Sequence, residues 1–481
     1  MPQSLKILFV TPECAPWVKT GGLGDVSAAL PRALAEHGHD VKLLMPAYPG
    51  LRQLARDAEI LGARPGDGPF PPARLLGAGR HGGVELLLLD CPGYYDRPGG
   101  PYDDSGGDNA LRFGLLSRVA AELGCDTSPW PHWRPELLHC NDWPTGLAPA
   151  WLRVLPGRTA RSVMTIHNLA FQGLFPLGRA HELGLPGDWL GPHAVEYWGQ
   201  ISFLKAGINF SDAVTAVSPT YAREIQQETH GCGFDGILRD RAGRLCGILN
   251  GIDTSVWDPA DDPHLAQGYD AGRLDAKAVN KTALQRRLGL AEAAHAPLFG
   301  LVSRLTEQKG IDLVLEVLPW LLSQGAQLAV LGQGDPVLEQ RLQEAAAAQP
   351  RQVAVQIGFD EALAHQIEAG SDAYLMPSRF EPCGLNQMYS QAYGTPPVVR
   401  ATGGLADTVV DQSAAPARGT GFCFREPSAP AFQACLERVL DAWHEPAGWR
   451  MLQQRCMAQP LDWRDRAQQY VDVYRELLAT N

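Results

Sequence analysis

The chain has 481 residues, 53 of them acidic and 41 basic, for a formal net charge of -12 at pH 7. That length exceeds one ordinary core and implies two domains, and the acidic balance argues against a nucleic acid or an anionic membrane as the main partner. No apolar run approaches the ~18 residues of a membrane span, the opening residues resemble no targeting segment, and ten scattered cysteines without a C-x-x-C spacing read as reduced thiols, so a soluble cytoplasmic protein is expected.

An apolar run at residues 5–10 leads into Lys19-Thr20-Gly21-Gly22-Leu23-Gly24-Asp25, and Leu23, Val26, Leu30 and Leu34 then recur at helical spacing. Strand, glycine-rich loop and helix follow in that order. Gly21 and Gly22 let the backbone approach a ligand, the first helical amides suit an anion, and Lys19 adds a cation; a turn that merely needs glycine is the competing reading. A second strand at 41–45 completes a βαβ unit, which implies parallel strands. Residues 62–83 and 92–108, rich in Gly, Pro and Asp, read as loops around a strand at 84–89, and a helix is expected over 109–123. The strand at 137–140 ends in Asn141-Asp142-Trp143 and that at 162–166 in His167-Asn168-Leu169. Polar residues where a parallel strand ends belong to the ligand-facing edge of its sheet, so Asp142 is a candidate for a hydroxyl-rich ligand and His167, beside an Asn and a Gly, for a functional rather than a structural role. After a strand at 213–217 the alternation pauses. Composition then places domain 1 at 1–245, a linker at 246–260, domain 2 at 261–460 and a closing amphipathic helix at 461–481.

The second domain repeats the alternation, with strands at 298–302, 327–331, 352–357 and 373–376, so the fold class is α/β with two doubly wound Rossmann-like sheets, expected to face each other across a ligand cleft. Its first strand opens into Ser303-Arg304-Leu305-Thr306-Glu307-Gln308-Lys309-Gly310. Arg304 and Lys309 suit a diphosphate, one binding oxygens bidentately and the other neutralising a departing group. In Ser378-Arg379-Phe380-Glu381-Pro382-Cys383-Gly384-Leu385-Asn386 the amides of Gly384, Leu385 and Asn386 can donate to phosphate, Glu381 can accept from sugar hydroxyls, and Cys383 reads as a small packing residue. Thr402-Gly403-Gly404-Leu405-Ala406-Asp407 echoes Thr20 to Asp25.

The Lys19-Thr20-Gly21-Gly22-Leu23 loop, His167-Asn168-Leu169, Lys205-Ala206-Gly207, Ser303-Arg304-Leu305 with Lys309-Gly310, Ser378 to Leu385 and Thr402 to Leu405, in this order over essentially the whole chain, resemble the bacterial glycogen synthases, relatives of the plant starch synthases. The resemblance implies a GT-B fold whose last helix crosses back to the first domain, and transfer of glucose from ADP-glucose to the non-reducing end of an α-1,4-glucan such as glycogen, with retention of configuration. It implies that Lys19, Gly21 and Gly22 hold the donor, with Asp25 nearby; that Arg304 and Lys309 neutralise the diphosphate; that Glu381 binds glucose; that His167 lies by the anomeric carbon; and that Asn250 and Asp142 line the sugar and acceptor side. Phe359 is the expected stacking platform for the base. No metal or other cofactor is expected, since Arg and Lys take a metal's place.

Tyr389 stands where the wider clan has a second Glu, as synthases of this group also show, while Pro144 stands where relatives often carry His and Asn386 where Thr is common. They bear on ribose recognition, acceptor contacts and phosphate geometry. A UDP-sugar transferase of the same fold and a non-catalytic glucan- or dinucleotide-binding protein remain alternatives, although no full G-x-G-x-x-G follows the first strand.

Overall fold

The computed structural model describes residues 3–479. They form two compact units, the first running to Gly251 and resuming at Trp463, the second spanning Ile252–Asp462.

In the first unit the strands are β1 (Lys6–Val10), β2 (Asp40–Pro46), β3 (Glu59–Arg64), β4 (Ala73–His81), β5 (Val84–Asp90), β6 (Leu137–Asn141), β7 (Arg161–Ile166), β8 (Leu174–Pro176), β9 (Glu196–Tyr197), β10 (Gln200–Ser202), β11 (Ala213–Ala216) and β12 (Leu245–Gly247). Nine make one sheet in the order β12-β11-β7-β6-β1-β2-β5-β4-β3, and β8, β10 and β9 make a small antiparallel sheet. From β12 to β5 neighbouring strands are parallel. The apolar runs of β1, β2, β5 and β6 are buried on both faces by the crossover helices, as parallel strands must be. The order reverses at β1, between β2 and β6, which puts the loops after β1 and β6 at the sheet's switch point.

Two expectations are corrected here. Residues 62–83 are not simply a loop, because β3 and β4 pair antiparallel within them. Their glycines answer a packing need: a Cβ on Gly62 would lie 2.0 Å from the Pro129 carbonyl oxygen. Nor do residues 246–260 form a linker throughout. Leu245–Gly247 is the edge strand β12, and Trp257 is buried in the second unit, stacked between His365 at 3.9 Å and Tyr389 at 3.7 Å.

The second unit holds β13 (Leu298–Val302), β14 (Gln327–Gly332), β15 (Val353–Ile357), β16 (Ala373–Met376), β17 (Pro397–Arg400) and β18 (Phe422–Phe424), all parallel in the order β15-β14-β13-β16-β17-β18. Leu301, Val330 and Leu375 pack on one face against Ile311, Val314 and Phe432, and Leu298, Ala329 and Tyr374 on the other against Leu284 and Ile367. Each fully buried aliphatic side chain contributes about 1.5–3 kcal/mol. The order reverses between β13 and β16.

The final helix, Arg464–Ala479, belongs to the first unit. It buries Ala467, Tyr470, Val471 and Tyr474. Its anchor is polar as well as apolar: Tyr474 Oη is 2.6 Å from His139 Nδ1, His139 Nε2 is 2.6 Å from Thr165 Oγ1, and that hydroxyl is 2.6 Å from Thr215 Oγ1. The chain of groups runs beneath the sheet from β6 to β11. No helix among the described residues is long and apolar enough to cross a membrane.

Candidate active site

In the second unit, the loops after β13 and β16 flank the switch point and are sewn together. Lys309 Nζ lies 2.5 Å from Glu381 Oε2, an oxygen that also accepts from Ser378 Oγ at 3.1 Å. Arg379 grips both carboxylate oxygens of Asp312 at 2.8 and 2.7 Å and the Glu307 carbonyl at 3.0 Å. The Arg379 amide donates to the Gln308 carbonyl at 2.8 Å. Gly310 adopts a left-handed φ of 71°, and a Cβ there would lie 2.2 Å from the Pro377 carbonyl oxygen, so glycine is required. Among the described residues the exposed Arg304 guanidinium makes no ion pair or hydrogen bond, and Arg304 belongs to the same loop after β13 that carries Lys309.

The Thr402 to Leu405 turn closes this assembly from below. Gly404 N donates to the carbonyl of Glu381 at 3.1 Å, and a Cβ on Gly403 or Gly404 would lie 1.9 Å from the Glu381 oxygen or 2.2 Å from the Cys383 oxygen. Cys383 is buried. Gly384 takes φ 72°, and the backbone amides of Gly384, Leu385 and Asn386 have no acceptor among the described residues, leaving three donors at the carboxyl edge of the sheet. The Asn386 side chain is otherwise occupied: Nδ2 donates to the Val302 carbonyl at 2.6 Å and to Tyr374 Oη at 2.9 Å, tying this turn to the end of β13. Phe359 stands at the end of β15, 76% exposed, two strands away from β13.

In the first unit, Gly21 and Gly22 are exposed at the start of the helix Gly22–Glu36. Lys19 Nζ pairs with Asp25 at 2.9 Å, and its stem crosses Gly24, where a Cβ would come within 3.2 Å of it. The loop's shape depends on a residue that the motif did not single out. Glu13, buried just beyond β1, accepts from the Thr20 amide at 2.5 Å and from Tyr102 Oη at 2.9 Å. Burial raises its pKa, against the lowering effect of these donors and of the Gly21 amide. A carboxylate in the apolar stretch between β1 and the glycine loop is the signal that could have found it.

Asp142 and His167 are brought together. Asp142, buried with φ 52°, accepts from the His167 amide at 2.7 Å, and burial pushes its carboxyl up to about 7. His167 Nε2 is 2.9 Å from Asn141 Oδ1, whose Nδ2 donates to the Val10 carbonyl at 2.9 Å. That second bond orients the amide, so Nε2 carries the proton and Nδ1 is left as an acceptor. Burial lowers the His167 pKa to about 3, so the ring is neutral at physiological pH. Asn250 is buried, and among the described residues its Oδ1 has no hydrogen-bond partner. Lys205 serves the fold, donating to the Pro192 carbonyl at 2.6 Å and the Glu196 carbonyl at 2.5 Å.

These loops carry chemistry suited to a phosphorylated sugar: cations and open amides at one sheet edge, and a neutral histidine beside a buried carboxyl at another. Comparison with known proteins agrees. Residues 6–240 match the model of the starch synthase catalytic domain, and residues 288–451 that of glycosyl transferases group 1. A glycogen synthase of Aromatoleum aromaticum is 56% identical over 98% of this chain and 96% of its own, and one of Dechloromonas aromatica is 53% identical over 99% of each. Among solved structures, the catalytic domain of starch synthase IV from Arabidopsis thaliana, bound to ADP and acarbose, superposes with a TM-score of 0.88 at 32% identity, covering 99% of this chain and 100% of its own. Sucrose-phosphate synthase from Thermosynechococcus elongatus, 18% identical with a TM-score of 0.61 over 99% of both chains, shares the fold. The chain belongs to the glycogen synthase family of glycosyltransferases and has the two Rossmann-like domains of the GT-B fold.

Proposed function

We propose that the protein elongates glycogen, transferring glucose from ADP-glucose to the non-reducing end of an α-1,4-glucan with retention of configuration. The observation that carries this is the pairing of Lys309, from the loop that also holds Arg304, with Glu381, where two loops meet at the switch point of the second unit. Arg304 binds diphosphate oxygens and Lys309 neutralises the charge that develops as ADP leaves, an electrostatic task of the kind that dominates many barriers. Glu381, oriented by Lys309 and Ser378, accepts hydrogen bonds from glucose hydroxyls, while the amides of Gly384 to Asn386 cap the phosphate and Phe359 offers a face to the base.

From the first unit, Lys19 with Gly21 and Gly22 contributes to holding the donor, Asp25 sets the Lys19 ammonium, and Asp142, Asn250 and His167 serve the sugar and the acceptor. A neutral His167 cannot act as a cationic acid. Its carbonyl or its Nδ1 lone pair stabilises oxocarbenium character, and the departing phosphate takes the proton of the acceptor hydroxyl on the same face. We assign no metal to this reaction, because Arg304 and Lys309 supply the positive charge, and we place the enzyme in the cytoplasm.

Turnover of ADP-glucose and UDP-glucose on glycogen and on a short glucoside, with and without a chelator, tests the proposal. Preference for ADP-glucose on glycogen, insensitive to chelator, is expected. Transfer from UDP-glucose to the short acceptor alone would overturn it.

A further inference from the structure

Among the described residues, three non-glycine residues have a positive φ: Asp142 at 52°, Trp198 at 49° and Cys232 at 48°. Such backbone costs about 1–3 kcal/mol per residue and persists only where the surroundings enforce it, characteristically at ligand sites. All three lie in the first unit, and hydrogen bonds together with short runs of chain link them. Asp142 fixes the His167 amide at the start of the loop that continues through Phe171 and Gln172. Gln172 Nε2 donates to the Cys232 carbonyl at 2.8 Å, and the same oxygen accepts from Tyr197 Oη at 3.3 Å. Tyr197 precedes Trp198 in the turn between β9 and β10, where Gly199 N donates to Glu196 Oε1 at 2.7 Å.

The construction holds apolar groups out in water. Trp198 is 85% exposed and Phe171 51%, and each adjoins in sequence one of the two residues, Tyr197 and Gln172, that donate to the Cys232 carbonyl. The Trp198 indole projects from a turn with positive φ, while Tyr197 packs on Phe234, ring centroids 4.7 Å apart. Phe171 lies four residues beyond His167 in the same loop, on the proposed acceptor side.

We propose that Phe171 and Trp198 form a track for the acceptor glucan, engaging sugar rings upstream of the residue that receives glucose. This rests on the function proposed above. A pyranose presents C–H groups on one face and hydroxyls around its rim, so its apolar face matches an exposed aromatic ring. Nearby polar groups suit the rim. A chain of such rings needs contacts spaced along a surface, and an open platform allows a polymer to pass where an enclosed pocket would not.

The test uses the full chain and its Trp198→Ala, Trp198→Phe and Phe171→Ala variants, with initial rates measured on glycogen and on maltose. The KM for glycogen is expected to rise about five- to tenfold in both alanine variants, equivalent to ~1–1.4 kcal/mol, with Trp198→Phe recovering most of the loss. The KM for maltose, too short to span the track, should change much less. An unchanged KM for glycogen in both alanine variants, or an equal rise for both acceptors, would overturn the track. Failure of the unsubstituted chain to elongate either acceptor would instead overturn the function on which the track rests.

Discussion

Lys309 Nζ lies 2.5 Å from Glu381 Oε2, which makes one ion pair of the cation and the carboxylate assigned to the two halves of a sugar diphosphate. The Glu381 side chain is only 7% exposed and that of Lys309 16%, so neither is a surface charge that water would screen. Lys309→Ala removes positive charge from the leaving group and strands Glu381 with the Ser378 hydroxyl. A fall in kcat of about a hundred- to a thousandfold follows if Lys309 meets the developing charge, together with a loss of about 3 kcal/mol in the second unit's stability. Glucan binding, measured by affinity electrophoresis, should stay within about twofold of the unsubstituted chain. A near-normal kcat would remove Lys309 from the chemistry.

Arg379 and Asp312 hold the frame in which that pair sits. Asp312 is 32% exposed, so the ion pair itself contributes at most about 1 kcal/mol to stability. Its importance is geometric, since Arg379 also binds the Glu307 carbonyl and its amide meets Gln308. Asp312→Ala is expected to lower kcat about tenfold, ~1.4 kcal/mol in the barrier, with little change in Tm, and Asp312→Glu to restore part of it. Equal proportional losses in Tm and activity would mark Asp312 as a stabilising residue only.

Much of this site was legible in the sequence because strand ends announce themselves. The runs at β13 and β16 are short, apolar and followed within three residues by Arg304 and Arg379, and β1 leads within nine to Lys19 and then to the glycine pair, so these loops read as the edge of a sheet from the residues alone. What escaped was of two kinds. Glycines that serve packing look like glycines that serve turns: Gly62, pressed against Pro129, sits in a strand that composition dissolved into a loop. Long-range polar partners carry no periodic signal either. Nothing near Glu13 indicates that Tyr102, 89 residues later, will donate to it, and nothing in Trp257 foretells its stack on His365 and Tyr389.

Glu13 makes a second test of loop geometry. The carboxylate gathers the Thr20 amide and the Tyr102 hydroxyl, and it is 3% exposed. Glu13→Ala leaves both donors without their acceptor, at about 1–3 kcal/mol for each buried group. The KM for ADP-glucose should rise about tenfold, the effect of ~1.4 kcal/mol, while Glu13→Gln, which still accepts, should lie in between. An unchanged KM in the alanine variant would mean that the glycine loop holds its shape without this carboxylate.

The acid sensitivity of the first unit follows from three buried groups. Burial lowers both His139 and His167 to about 3, and raises Asp142 to about 7. A histidine with a depressed pKa favours folding above its unfolded value of ~6.5, and that contribution is lost as pH falls toward 3. A carboxyl with a raised pKa has the opposite sign, because the folded state binds the extra proton between about 4 and 7, and stability falls as pH rises through that window. Between pH 4 and 6.5 the unfolded chain therefore takes up two protons on the histidines against one retained by folded Asp142. For these three groups the balance is one proton, a slope of about 1.4 kcal/mol per pH unit toward lower stability on acidification. Urea midpoints across pH 4.5–8 measure this, and Asp142→Asn supplies the control: with the opposing carboxyl gone, the dependence below pH 6.5 should steepen by about one further proton. A shallower slope in that variant would contradict the assignment of a proton to folded Asp142.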